Sequence, residues 1–131
     1  MRNFKKNRKN LKFLKRSTQR NSFLSCGTVG LRTLDSVIIT NTHLEVARLV
    51  INRILKRQGK IHIKAKTNVS ITKKASETRM GKGKGSISHY ASRMKKNALL
   101  FEISGVSPEL AILSLKQASK KMPCKTQIIF K

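Results

Sequence analysis

Thirty lysines and arginines face only five acids in this chain of 131 residues, for a formal net charge of +25. Five carboxylates cannot neutralise thirty cations, so any compact fold of this chain must carry a strongly positive surface. Such a surface repels itself until a polyanion lies against it. An anionic membrane would need a basic amphipathic helix or a long apolar span, and no run of about 18 apolar residues exists here. Nucleic acid is the better partner. The hydrophobic share of 38% still allows a core, and with 5% aromatics and no Trp that core must be largely aliphatic.

The five acids are Asp35, Glu45, Glu77, Glu102 and Glu109, scattered along the chain. A metal-dependent nuclease or nucleotidyl transferase needs clustered carboxylates, so no catalytic residue is assigned. His43, His62 and His89 show no ligand spacing with Cys26 or Cys124, and neither a metal nor another cofactor is expected. The two cysteines lie far apart without a Cys-x-x-Cys pattern. They are expected to be reduced and half-buried, a disulfide being unsupported.

Residues 1–21 form a basic arm carrying Arg2, Lys5, Lys6, Arg8, Lys9, Lys12, Lys15, Arg16 and Arg20 and no acid. The composition also suits a targeting peptide. Met1 at its head favours a retained arm laid on phosphates, with Phe4, Leu11, Phe13 and Leu14 as packing anchors. Residues 22–131 then read as a single α+β domain, with no internal repeat and no linker.

Within that domain, 22–39 mixes β-branched residues with Gly27 and Gly30, which predicts one or two strands with a bend. A helix follows over 40–58, with Thr40 or Thr42 as cap and Thr42 with Glu45 as a capping box. Leu44, Ala47, Ile51, Ile54 and Leu55 fall on one face, and Gly59 ends the helix. Arg53, Lys56 and Arg57 crowd its last turns. "KIHIKAK" alternates strictly, which points Ile61, Ile63 and Ala65 inward and Lys60, His62, Lys64 and Lys66 outward. Four such groups on one face repel unless an anion lies across them, so this is a candidate phosphate-binding face. Residues 67–88 read as a long connection. Strands over 89–94 and 98–104 flank a turn at Lys95–Asn97. A second helix over 107–122 has Ser107 as cap, Pro108 in its first turn and a core stripe of Leu110, Ala111, Ser114, Leu115, Ala118 and Met122. "TQIIF" closes as a strand.

The long connection carries "ETRMGKGKG". Its spacing fits neither a P-loop nor a dinucleotide-binding glycine motif. It does offer bare backbone at Gly81, Gly83 and Gly85 and cations at Lys73, Lys74, Arg79, Lys82 and Lys84, with Met80 between them. Such a loop can lie among crowded RNA strands.

"KRQGKIHIK", "TKK" followed two residues later by "ETRMGKGKG", "LLFEISGVSPELA" and "KMPCKT" resemble, in order and spacing, the bacterial-type large-subunit ribosomal protein family numbered sixteen. Its archaeal and eukaryotic cytosolic relatives carry the number ten. The resemblance runs from about Gly30 to Phe130. It implies an α/β-hammerhead-like two-layer fold, with two helices on a mainly antiparallel sheet. It further implies a structural role in the large ribosomal subunit, bound to large-subunit rRNA near the A-site and peptidyl-transferase region and helping to position tRNA. The implied partners are that rRNA, A-site tRNA and neighbouring large-subunit proteins, with neither membrane insertion nor a homo-oligomer. The chain departs from the pattern at His62, at Ala91 where the family carries Trp, and at Ile112 and Leu113. The last two read as adjacent outward aliphatics for a protein neighbour. Twenty lysines against ten arginines suit an AT-rich genome, so a mitochondrial ribosome is the expected location, with a bacterial cytoplasm or plastid as the alternative. A free-standing RNA chaperone or nucleic-acid-compacting protein is the rival function.

Overall fold

The computed structural model describes residues 23–81 and 83–131. Among them are two helices and seven strands: β1 (Val29–Thr33), β2 (Val37–Thr40), α1 (Asn41–Leu55), β3 (Lys60–Ile63), β4 (Val69–Thr72), β5 (Ile87–Met94), β6 (Leu99–Ser104), α2 (Pro108–Ser119) and β7 (Thr126–Phe130). The fold is α+β, but the strands make two antiparallel sheets rather than one. Four strands run in the order β3-β6-β1-β7 and three in the order β2-β5-β4. The turn at Lys95–Asn97 therefore does not close a hairpin between β5 and β6. It carries the chain from one sheet to the other. Buried Thr33 holds that crossing, its N–H donating to the Ala98 carbonyl at 2.9 Å and its hydroxyl to the Lys95 carbonyl at 2.7 Å.

The first helix is capped by Thr40. Its Oγ1 accepts from the His43 N–H at 3.5 Å, and His43 Nδ1 accepts from the Thr40 N–H at 3.3 Å. A Thr40–His43 box thus replaces the expected Thr42–Glu45 box. Thr42 already lies inside the first turn, with its hydroxyl 2.7 Å from that of Thr40, and Glu45 pairs with Arg48 at 2.9 Å. The helix stops at Leu55, earlier than Gly59 suggested, because Lys56 and Arg57 adopt positive φ of 48° and 67°. Gly59 serves close approach instead. A Cβ there would lie 2.5 Å from the Ser104 carbonyl oxygen.

Leu44, Ala47, Ile51 and Leu55 bury one face of α1, with Ile54 half-buried at its edge. That face meets Ala111, Ser114, Leu115 and Ala118 of α2. The small residues let the helices approach closely, and Ser114 Oγ satisfies itself on the Ala111 carbonyl at 2.8 Å. Against the helices lies the apolar face of the four-stranded sheet, with Val29, Leu31, Phe101 and Ile103 at its centre. Ser107 occupies the cap position of α2 without a side-chain hydrogen bond, and the helix ends at Ser119, three residues short of buried Met122. Ile112 packs against the core and only Leu113, 51% exposed, faces out. The expected pair of outward aliphatics is therefore a single residue.

The other face of this sheet is covered by residues 24–27. Gly30 admits them, since a Cβ there would lie 2.4 Å from Leu24 Cδ2. Strand alternation puts Glu102 on this face, between Phe101 and Ile103, and it is fully buried. Its carboxylate accepts from the N–H groups of Ser25, Cys26 and Gly27 at 3.2, 2.7 and 2.9 Å, and Lys64 Nζ stands 3.4 Å away.

Burial by itself would raise the Glu102 pKa, but the N–H groups of Cys26, Ser25 and Gly27, joined by the Lys64 ammonium, pull it below the ordinary 4.5. A carboxyl with a lowered folded pKa contributes stability above its unfolded pKa and loses it as pH falls through the folded value. The melting temperature should therefore fall as the solution is acidified below the usual carboxylate range. Glu102→Gln should flatten that acid limb and cost roughly 1–3 kcal/mol at neutral pH, as judged by denaturation at a series of pH values.

Candidate nucleic-acid interface

The glycine-lysine motif lies in the irregular loop at the tip of a hairpin, outside both of its strands. The polar, β-branched run Val69–Thr72 forms β4, which pairs with the first half of β5 from Val69 opposite Ala91 to Thr72 opposite Ile87. The Lys73 N–H extends the ladder to the Ser86 carbonyl at 3.1 Å. The second half of β5 pairs with β2 from Ala91 to Met94 and is mostly buried, whereas Ile87–Tyr90 are exposed. One strand thus roots the hairpin in the domain and carries it out into solvent. Ala91, where the family pattern has Trp, is fully buried at the junction.

The hairpin holds Lys73, Lys74, Arg79, Met80 and Lys84, all exposed, with Glu77 as its one acid. Lys82 lies outside the described residues. The three glycines do different work. Gly85 lies against the opposite strand, where a Cβ would meet the Lys73 carbonyl carbon and oxygen at 2.7 Å. Gly81 and Gly83 have open space around them but positive φ of 92° and 74°. They set the path of the tip rather than a close approach. Lys74 Nζ donates back to the Gly81 carbonyl, which folds one cation across the loop.

A second set of cations lies in the last turn of α1 and beyond it. Arg53, Lys56, Arg57, Lys60 and Lys66 are exposed. The expected four-member ladder does not form. β3 ends at Ile63, which is itself 39% exposed. His62 lies across from Glu102 in the strand register and its Nε2 is 3.3 Å from Ser104 Oγ. The Lys64 side chain, only 20% exposed, turns onto Glu102 and Ser25. The anion that relieves Lys64 is the protein's own carboxylate. The arm cations Arg2, Lys5, Lys6, Arg8, Lys9, Lys12, Lys15, Arg16 and Arg20 lie outside the described residues.

Sequence reasoning missed Glu102 and Tyr90. Tyr90 stands opposite Ser70 on the hairpin stem and is 51% exposed. A charged residue inside "LLFEIS" was the one signal for Glu102. The cysteines also differ from one another. Cys124 is half-buried and burial, with Asp35 nearby, pushes its thiol up to about 11. Cys26 is exposed, contrary to expectation, and hydrogen bonds from Ser25 and Lys64 lower its thiol.

Among the described residues no cluster of three or more His, Cys, Asp or Glu could hold a metal ion, and no helix is long and apolar enough to cross a membrane. Fold and surface define a highly basic α+β protein. The chain belongs to the ribosomal protein L16p/L10e family, whose pattern matches residues 1–129. Three bacterial relatives, each called large ribosomal subunit protein uL16, support this. The protein of Christiangramia forsetii is 40% identical over 116 residues, covering 88% of this chain and 84% of its own. That of Orientia tsutsugamushi is 41% identical over 108 residues, covering 82% and 79%. That of Erythrobacter litoralis is 40% identical over 106 residues, covering 81% and 74%. The family is a structural component of the ribosome and not an enzyme.

Two measurements probe this surface. Gly85→Ala should disturb the pairing at the loop end of the stem, while Gly81→Ala, with open space around it, should alter only the path of the tip and leave β4–β5 pairing and global melting unchanged. Chemical shifts of β4 and β5 separate the two outcomes. Iodoacetamide at neutral pH should label Cys26 in the native chain and spare Cys124 until the protein unfolds, which peptide mapping would show.

Proposed function

We propose that this chain binds large-subunit rRNA near the A-site and peptidyl-transferase region and helps to position tRNA. The observation that carries this reading is the β4–β5 hairpin. It projects Lys73, Lys74, Arg79 and Lys84 around glycines at positive φ from a chain of net charge +25. Cations on the loop that this two-stranded stem carries can neutralise phosphates and release counterions. The small tip follows RNA shape rather than base sequence. Arg53, Lys56, Arg57, Lys60 and Lys66 extend the same chemistry beyond α1, and Tyr90 can stack on a base. In this reading residues 1–21 are a basic rRNA-binding arm on a domain over 22–131 of the hammerhead type. Leu113 is the point at which a neighbouring ribosomal protein covers α2.

For location we propose a mitochondrial ribosome, on the strength of twenty lysines against ten arginines and about 40% identity to bacterial relatives. A bacterial cytoplasm or a plastid is the alternative.

The test is sedimentation of an organelle lysate through a high-salt sucrose gradient, with this protein followed by mass spectrometry. It should remain stoichiometric with the large subunit. Spread over all RNA, or release to the top of the gradient, would instead mark a free-standing chaperone. In binding assays with a large-subunit rRNA transcript, replacing Lys73, Lys74, Arg79 and Lys84 by Gln should reduce the salt slope by roughly 0.7 for each phosphate that is no longer neutralised. An unchanged slope would remove the hairpin from the interface.

A further inference from the structure

Residues 1–22 join the described part of the chain at a stretch whose path one carboxylate determines. Three successive N–H groups, from Ser25, Cys26 and Gly27, converge on Glu102 at 3.2, 2.7 and 2.9 Å. An anion held by consecutive amides fixes the dihedral angles between them, as in a backbone nest. Lys64 completes the cluster, with Nζ 2.5 Å from Ser25 Oγ and 3.4 Å from Glu102 Oε1. Gly27 provides the room, because a Cβ there would lie 2.8 Å from Glu102 Cβ and 2.7 Å from the Ile103 carbonyl oxygen.

We propose that Glu102, braced by Lys64, is a positioning residue for RNA binding by the N-terminal arm: it fixes the path of Ser25, Cys26 and Gly27, the stretch that follows the arm in the sequence. This rests on the reading of the arm as an RNA-binding element. A stretch already ordered in the free protein has less conformational freedom to lose when the arm engages RNA. Lys64 is then an internal strut rather than a phosphate ligand. The expected effect is opposite in sign to that of simple electrostatics. Glu102→Gln removes a negative charge, so a pure charge effect predicts binding as tight as wild type or tighter. Loss of positioning predicts weaker binding.

The experiment uses the full chain and a transcript of large-subunit rRNA, titrated at several salt concentrations. The variants are Glu102→Gln, Lys64→Met, an arm-neutralised chain with Lys5, Lys6, Lys9 and Lys12 changed to Gln, and the combination of this set with Glu102→Gln. Hydrogen exchange reads the amides of Ser25, Cys26 and Gly27 and, as a check on folding, those of β1 and β6. Glu102→Gln should speed exchange at the three amides and weaken binding about tenfold with the salt slope unchanged. Lys64→Met keeps all three N–H donors on the carboxylate, and should weaken binding about threefold while leaving β1 and β6 protected. In the arm-neutralised background Glu102→Gln should have an effect smaller than about twofold, since coupled residues are not additive. The inference is overturned if both single variants bind as tightly as wild type, or if the full loss persists in the arm-neutralised chain. If neutralising the arm changes nothing, the arm reading itself falls, a separate result.

Discussion

A single buried carboxylate organises the way this chain handles its charge. Glu102 sits at the centre of the four-stranded sheet, on the face turned away from the helices, and is fully shielded from water. An isolated carboxylate there would be strongly destabilising, and its persistence depends on complete satisfaction. Three amides and one ammonium supply that. In return, the covering stretch 24–27 is held to the sheet, Lys64 is drawn in from the surface, and β1 and β6 can approach with Gly30 between Leu24 and Leu99. Without this anion the second face of the sheet would present Gly30 and Leu99 to solvent with nothing to hold a cover over them.

The two sheets divide the work of the molecule. The four-stranded sheet supplies most of the sheet residues of the core, and β2 and β5 add Ile39 and Met94 beside α1. The three-stranded sheet is a lever: the buried half of β5 is bound to β2, and the exposed half, paired with β4, extends the hairpin. Because β5 runs through both halves, movement at the tip is resisted by a strand whose far end lies in the core. The glycines fit this division, since Gly85 tightens the stem while Gly81 and Gly83 shape only the tip.

Much of this was legible in the sequence, for reasons that can be traced to particular residues. The core faces of α1 and α2 were readable because apolar residues recur at helical spacing and because Ser107-Pro108 marks a helix start. The strands at Val29–Thr40, Leu99–Ser104 and Thr126–Phe130 were readable from β-branched and apolar density. β4 was not, because Val69–Thr72 is short, half polar and flanked by lysines, and its stability comes from pairing with β5 rather than from its own pattern. The separation of β5 from β6 was equally hidden. A three-residue turn suggests a hairpin, and only the hydrogen bonds of Thr33 reveal that it joins two sheets. At the candidate site, the exposed cations of the hairpin were visible from composition and glycine spacing. The fate of Lys64 was not, because strand alternation assigns a face but cannot say that the face is covered.

Lys64 shows how much depends on the acids in a chain that has so few. When five carboxylates serve thirty cations, the position of each acid says more about the surface than that of any single lysine. Glu45 forms an exposed pair with Arg48, which stabilises little. Glu102 is placed where water cannot compete, so the same charge orders a whole segment. The positive surface left over after this pairing takes in the hairpin loop, Lys116, Lys120 and Lys121 of α2 and the turn after it, and the end of α1, where the left-handed residues Lys56 and Arg57 turn the chain and hold two adjacent cations outward. The one lysine that the buried acid withdraws, Lys64, is thereby lost to the cationic surface and becomes part of the fold.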